Sequence, residues 1–160
     1  DGYSPEDACK MMEDLGADVV GLNCYRGPKT TMTLLEKIRK KVSCHVAGLP
    51  VPYRTTEENP TFLNITDKDC NCIPGGNAFP VALDNFYCNR YEMAEFAKDC
   101  LNKNINFIGT CCGSGAHHVR EMAIAIGKKP ISYKYCPDMS KHFHHGTDSS
   151  LKKVNKEIKY

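Results

Sequence analysis

Two stretches decide the fold: Val19-Val20-Gly21-Leu22-Asn23-Cys24 and Phe107-Ile108-Gly109-Thr110-Cys111-Cys112-Gly113. Each is a short apolar run that stops at cysteine, where a buried parallel strand hands over to a loop. Thiolates at the C-terminal ends of parallel strands are placed to share one metal ion in a cleft. Three protein ligands leave a fourth position open for a substrate sulfur, the arrangement of a catalytic zinc.

Working outward, helix and strand patterns alternate. Ser4-Pro5-Glu6-Asp7 reads as a helix start, with Ser4 as N-cap, Pro5 at the first helical position and acids in the first turn. That helix runs to about Leu15 and stops at Gly16, and Val19 to Asn23 follows as a strand. Thr30 or Thr31 caps a second helix through about Lys41, burying Leu34, Leu35 and Ile38. Cys44 to Leu49 is a second apolar run, ended by Pro50 and Pro52. A third helix is expected from Arg90 to about Leu101, burying Met93, Phe96, Ala97 and Cys100. Ile105 to Thr110 is the third strand, and Ala116 to Ile126 the last helix, stopped by Gly127 and Pro130. The succession predicts an α/β fold of right-handed βαβ units on a parallel sheet covered on both faces.

Three strands leave two open edges, each a hazard for aggregation. The chain is therefore expected to be the C-terminal part of a longer protein, with dimerisation through those edges as the alternative. Its first residue, Asp1 rather than Met, fits a fragment or a processed product. Pro50 to Asn89 is long, polar and rich in Pro, Gly and Asn, as functional lids or insertions are. The tail from Ile131 is basic and contains histidines.

A chain of 160 residues has the size of one domain, and 41% hydrophobic content supplies a core. A net charge of +2 gives no reason to expect nucleic acid or an anionic membrane as partner. No apolar run approaches the roughly 18 residues of a membrane span, and no secretory signal is visible. Ten cysteines are compatible with an extracellular disulfide framework. Several lie inside helical or apolar patterns, however, and adjacent cysteines such as Cys111-Cys112 bridge each other badly, so reduced thiols in a cytosolic compartment are expected.

A shared metal places geometric demands on the three cysteines. Zinc–sulfur bonds of about 2.3 Å require the sulfurs to converge. If one strand separates the two cysteine-bearing strands, their axes lie roughly 10 Å apart, a gap that curvature and side-chain reach can close. Successive strand residues point to opposite faces, so Cys111 and Cys112 share a metal only if the chain turns at Gly113. Gly113 and Gly115 allow that turn, and the following helix offers its N-terminus to negative charge. The residues alone leave a second reading open, three inert buried thiols of the kind common in cores.

Gly21-Leu22-Asn23-Cys24, then Gly109-Thr110-Cys111-Cys112-Gly113 with His118 following, resemble the two zinc-binding motifs of the homocysteine S-methyltransferase family. Leu49-Pro50-Val51-Pro52-Tyr53-Arg54-Thr55 is similar to the strand-and-loop segment of its betaine-using members, and the likeness extends from about Pro5 to Ile126. The resemblance implies a (β/α)8 TIM barrel whose last three βα units occupy residues 1–130, with 131–160 as a C-terminal extension. It implies that Cys24, Cys111 and Cys112 hold Zn²⁺. The implied reaction is methyl transfer from betaine to homocysteine, giving methionine and dimethylglycine. S-methylmethionine users share the same cysteines and are the alternative. A cytoplasmic protein, homo-oligomeric at full length, is implied too. Thr110 stands where the family more often has Gly, and is expected to narrow the pocket or donate to a thiolate. Earlier strands carry most donor contacts in the family, so this chain alone is expected to be inactive.

Other candidates are secondary. A cationic donor suits aromatic faces, for which Tyr25, Tyr53 and Phe79 are candidates, although packing is the simpler role. A non-enzymatic reading makes the chain a structural zinc module, with Cys70, Cys72 and Cys88 closing a four-cysteine site, although that spacing matches no standard motif. Cys70 to Asn77 has no family counterpart. His118 is a candidate neighbour of the metal ligands, whereas His117 is expected to face solvent. His142, His144 and His145 read as a solvated tail, and Lys152, Lys153 and Lys156 as a soluble helical end. Asn64-Ile65-Thr66 is a glycosylation acceptor by pattern only. Gly75-Gly76-Asn77 lacks the lysine and following helix of a phosphate loop.

Overall fold

The computed structural model describes residues 2–67, 73–136, 138–142 and 146–151. It contains four helices, α1 (Pro5–Asp14), α2 (Pro28–Lys41), α3 (Arg90–Asn102) and α4 (Ala116–Ala125), among its described residues. Between them run three strands, β1 (Val19–Asn23), β2 (His45–Leu49) and β3 (Phe107–Ile108). Ser4 caps α1 as its sequence predicts, accepting the Asp7 N–H at 3.1 Å. Helix α2 begins earlier than Thr30, because Gly27 is the N-cap and Pro28 supplies a pre-set φ at the first position. The two threonines turn inward instead. Thr30 Oγ1 lies 2.7 Å from Thr55 Oγ1, and Thr31 Oγ1 donates to the Arg26 carbonyl.

The sheet is parallel, in the order β1-β2-β3. Gly21 lets β1 approach β2 closely, since a Cβ there would meet the Ala47 carbonyl oxygen at 2.0 Å. Strand β3 is shorter than Ile105 to Thr110. Its pairing covers only Phe107 and Ile108, flanked by bonds from Asn106 N–H to Val46 O and from Gly109 N–H to Gly48 O. Ile105 joins the core rather than the ladder, at 1% exposure.

The helices cover one face of the sheet. Val20, Leu35, Ile38, Val46, Met93, Phe96, Cys100 and Met122 form a common buried cluster there. Leu34, expected in this core, is only half-buried. The other face is open: Val19 is 44% and Phe107 57% exposed. Cover on both faces therefore holds for one face alone in this chain, with strand burial alternating as it does in a one-sided sheet.

The long connection after β2 has its own small core of Ile65, Ile73 and Ala78, packed by Tyr53, Phe62 and Phe86. Gly75 and Gly76 lie in a short 3-10 turn at positive φ. By its internal contacts the chain divides into two units, Asp1–Pro130 and Ile131–Tyr160. The second carries two 3-10 turns, Ile131–Tyr135 and Met139–Lys141. No helix among the described residues is long and apolar enough to cross a membrane.

Candidate metal centre

Strand β2 and the segment that prolongs it are the beam on which the site is built. The residues Leu49 to Pro52 pass between the two cysteine-bearing segments and accept from both sides. Cys24 N–H donates to Leu49 O and Cys111 N–H donates to Pro50 O, each at 2.9 Å. Pro50 and Pro52 carry no N–H, so the regular ladder ends here while their carbonyls stay free to anchor neighbours. Cys88 N–H uses the Pro52 carbonyl at 2.8 Å. Thr110 Oγ1 donates to the Pro50 carbonyl at 3.0 Å, which corrects the expectation that its hydroxyl serves a thiolate.

Both cysteine segments leave regular strand geometry at the site. Cys24 and Tyr25 have φ of 71° and 62°. Two consecutive non-glycine residues in the left-handed region store about 1–3 kcal/mol each, which the bonds from Cys24 N–H to Leu49 O and from Phe62 N–H to Tyr25 O oppose. Cys111 to Ser114 is a tight turn closed by Ser114 N–H to Cys111 O at 3.2 Å. Gly113 has φ of 87° at its third position, as a type II turn requires. The turn at Gly113 thus occurs where the sequence demanded it.

Three thiols converge as a result. The Cys24 and Cys111 sulfurs each lie 3.7 Å from Cys112 Sγ, and all three fall within 4.8 Å of one another. Tetrahedral ligands on bonds of about 2.3 Å stand roughly 3.8 Å apart, so the donor set and its spacing fit a metal–thiolate centre. Cys112 is exposed while Cys24 and Cys111 are half-buried, so the cluster opens on one side. Burial works to raise the Cys24 thiol, but hydrogen bonds from Cys111, the Tyr25 backbone and Cys112 outweigh it, leaving Cys24 below its ordinary pKa. Burial, with Cys24 beside it, pushes Cys111 up to about 11. Cys24 accordingly carries charge before Cys111 does.

The remaining candidates sort by position. Cys88 is 2% exposed, belongs to the main core, and is pushed up to about 12 by burial. Cys70 and Cys72 lie outside the described residues, as do His144, His145, Lys152, Lys153 and Lys156. Among the described residues, Cys24, Cys111 and Cys112 are the one group of three or more His, Cys, Asp or Glu side chains close enough to share a metal. The eight described cysteines are all free thiols. His142 ends the 3-10 turn Met139–Lys141, and Asn64 caps its own turn by accepting from Thr61. His117 is exposed, yet its ring centroid lies 4.1 Å from that of His118. His118 is fully buried and bonds to Ser114, Gly115 and Cys88 rather than to a sulfur.

The aromatic residues form a chain whose centre the sequence did not disclose. Phe62 links Tyr25 at 6.3 Å, Tyr53 at 5.8 Å and Phe79 at 5.5 Å between ring centroids. Tyr87 stands edge-on to Tyr53 and donates its hydroxyl to the Gly113 carbonyl at 2.8 Å. Neither Phe62 nor Tyr87 lies in a periodic apolar pattern, so no local signal marks them.

The sheet and its strand ends define an α/β protein that gathers three thiols at the C-terminal edge of a parallel sheet. The sequence profile of the homocysteine S-methyltransferase family matches residues 1–126, and the chain belongs to that family. Betaine–homocysteine S-methyltransferase 1 of Danio rerio is 30% identical over 122 residues, covering 76% of this chain and 29% of the relative. The Xenopus tropicalis protein of the same name is 26% identical over 128 residues, with the same coverage. S-methylmethionine–homocysteine S-methyltransferase of Pongo abelii is 23% identical over 126 residues, covering 75% of this chain and 32% of the relative. The chain thus spans about three-tenths of the length of these relatives.

Proposed function

We propose that this chain is the metal-binding part of a zinc-dependent homocysteine S-methyltransferase, with Cys24, Cys111 and Cys112 as the zinc ligands. The observation that carries the reading is the convergence of the sulfurs, with Cys112 Sγ 3.7 Å from each of the other two and all three within 4.8 Å, in a chain that matches the family along residues 1–126. A (β/α)8 barrel whose last three βα units are residues 1–130, with 131–160 as an extension, accounts for the open sheet face. The relatives' names support homocysteine as methyl acceptor and betaine as donor. S-methylmethionine is the alternative donor, because relatives of that type match over the same stretch. Free thiols at every described cysteine suit the reducing cytoplasm, and homo-oligomerisation belongs to the full-length protein.

A zinc ion in this cluster supplies Lewis acidity that lets a substrate thiol lose its proton near neutral pH. The chain's own residues supply geometry. The strained Cys24–Tyr25 segment and the Cys111–Ser114 turn fix three sulfurs on one side, and the exposed flank beside Cys112 leaves room for a fourth ligand. The homocysteine sulfur attacks the donor methyl in line. A carbon–sulfur bond forms as the carbon–nitrogen bond breaks, and betaine departs with the electron pair as the neutral amine of dimethylglycine.

Metal content and ligand count test the reading. The expected result is one zinc per chain, three protein sulfurs by X-ray absorption, and a lighter, exchangeable fourth ligand. Cys111→Ser abolishes zinc retention, and Cys72→Ser leaves it intact. Four protein sulfurs would instead establish the structural module. With zinc and both substrates the 160-residue chain forms no methionine, whereas the full-length protein does, and the donor comparison there separates betaine from S-methylmethionine.

A further inference from the structure

His118 is a buried imidazole that the proposed chemistry does not use. It lies in the first turn of α4 with no exposed surface, and both ring nitrogens are engaged. Gly115 N–H stands 3.2 Å from Nδ1 and can only donate, so Nδ1 carries the lone pair and the ring proton is on Nε2. Nε2 then donates to the Cys88 carbonyl at 2.9 Å, and Ser114 Oγ, 3.2 Å from Nδ1, donates to it. One neutral tautomer satisfies every partner.

The ring's position gives these bonds a consequence at the thiols. Gly113, Ser114 and Gly115 directly follow Cys112, and each is held from outside the turn. Tyr87, whose ring centroid lies 5.0 Å from that of His118, holds the Gly113 carbonyl. His118 holds Ser114 and Gly115. At its far end His118 grips Cys88, whose N–H is tied to Pro52, two residues beyond the Pro50 carbonyl that receives Cys111. A closed circuit results: Cys111 to Pro50, along the chain to Pro52, to Cys88, through the imidazole to Gly115, and back to Cys112. We propose that His118 is the positioning residue of the three-thiol cluster, clamping the Cys111–Gly115 turn to the β2 extension so that the Cys112 sulfur stays 3.7 Å from both partners. The inference rests on the reading of these thiols as a metal centre, and its test separates the two.

The test uses cobalt(II) as the metal probe and compares the chain with three variants. His118→Leu removes all three bonds. His118→Asn retains an acceptor near the Nδ1 position, and His118→Gln retains a donor near Nε2. The expected result is that the unsubstituted chain binds one cobalt with a thiolate charge-transfer band. His118→Leu weakens that binding by about 10–100-fold, the scale for residues that orient metal ligands, with an altered visible spectrum and an unchanged far-UV circular dichroism spectrum. His118→Asn, which still receives Gly115 N–H, recovers affinity beyond His118→Gln. In the metal-free chain, His118→Leu accelerates amide exchange at Gly115 at least tenfold and levels the alkylation rates of Cys111 and Cys112, while α4 amides beyond its first turn stay protected. Wild-type cobalt affinity and spectrum in both the Leu and Asn variants would overturn the proposal. So would unchanged Gly115 exchange and thiol labelling in the metal-free chain. Failure of the unsubstituted chain to bind cobalt through thiolate refutes the metal reading, and the metal-free measurements then decide the role of His118 by themselves.

Discussion

Gly113 shows how much of the site hangs on one residue. Its φ of 87° is left-handed, and a Cβ there would meet Tyr53 Oη at 2.5 Å and Cζ at 2.9 Å. Gly113→Ala therefore combines a backbone cost of about 1–2 kcal/mol with a clash against a packed ring. The expected outcome is at least tenfold weaker zinc retention in competition with a chelator. Tyr53→Ala added to Gly113→Ala removes the steric part and restores some of the loss. The need for a turn at Gly113 was legible from strand alternation, because two adjacent cysteines cannot face one ion along a strand. What stands against Gly113 was not legible, since Tyr53 is sixty positions away and Tyr87 belongs to a loop without periodicity. The left-handed Cys24 and Tyr25 were equally hidden, as neither residue type favours that conformation.

At the scale of elements, start and stop signals and apolar spacing together located the four described helices, while their exact starts depended on caps. Helix α3 is capped by Asn89, whose Oδ1 accepts the N–H groups of Tyr91 and Glu92 at 2.9 and 3.0 Å. Glu92 Oε2 in turn accepts the Asn89 N–H at 2.8 Å, completing a capping box that the Asn-x-x-Glu spacing carries in the sequence. Asn89→Ala is expected to lower unfolding free energy by about 1 kcal/mol, measured as a shifted urea midpoint with an unchanged slope. An unmoved midpoint would mean that packing alone sets the start of α3. Strand β3 is the clearest difference from expectation. Its apolar run is long enough for six residues, but a run shows only that side chains can be buried, and Ile105 spends its burial in the helix-side core. The Cys88 thiol, a candidate with Cys70 and Cys72 for a structural four-cysteine site, is likewise absorbed by packing.

For the whole molecule, the sheet's two faces set the terms. One is packed by helices, and the other presents Val19 and Phe107 to solvent. The proposed barrel turns that open face into an interior. Metal binding should then be measurable without catalysis. Zinc that binds only the folded cluster stabilises the chain by about 2.7 kcal/mol at a free concentration one hundred times its Kd, read as a raised thermal midpoint. Because the ligands bind zinc as thiolates, the gain shrinks as pH falls and protons reclaim the sulfurs. A midpoint indifferent to zinc would sink the metal reading. The sequence by itself determined the α/β succession, the parallel strands and which three cysteines stand where apolar runs end, because apolar periodicity, prolines and glycines act over a few residues at a time. The tertiary structure alone decided that Cys112 Sγ stands 3.7 Å from the other two sulfurs, that Phe62 and Tyr87 pack against Tyr53, and that the buried His118 ring receives the Gly115 N–H. Those relations join residues distant in sequence through the carbonyls of the β2 extension, and no local pattern records which carbonyl a distant N–H will find.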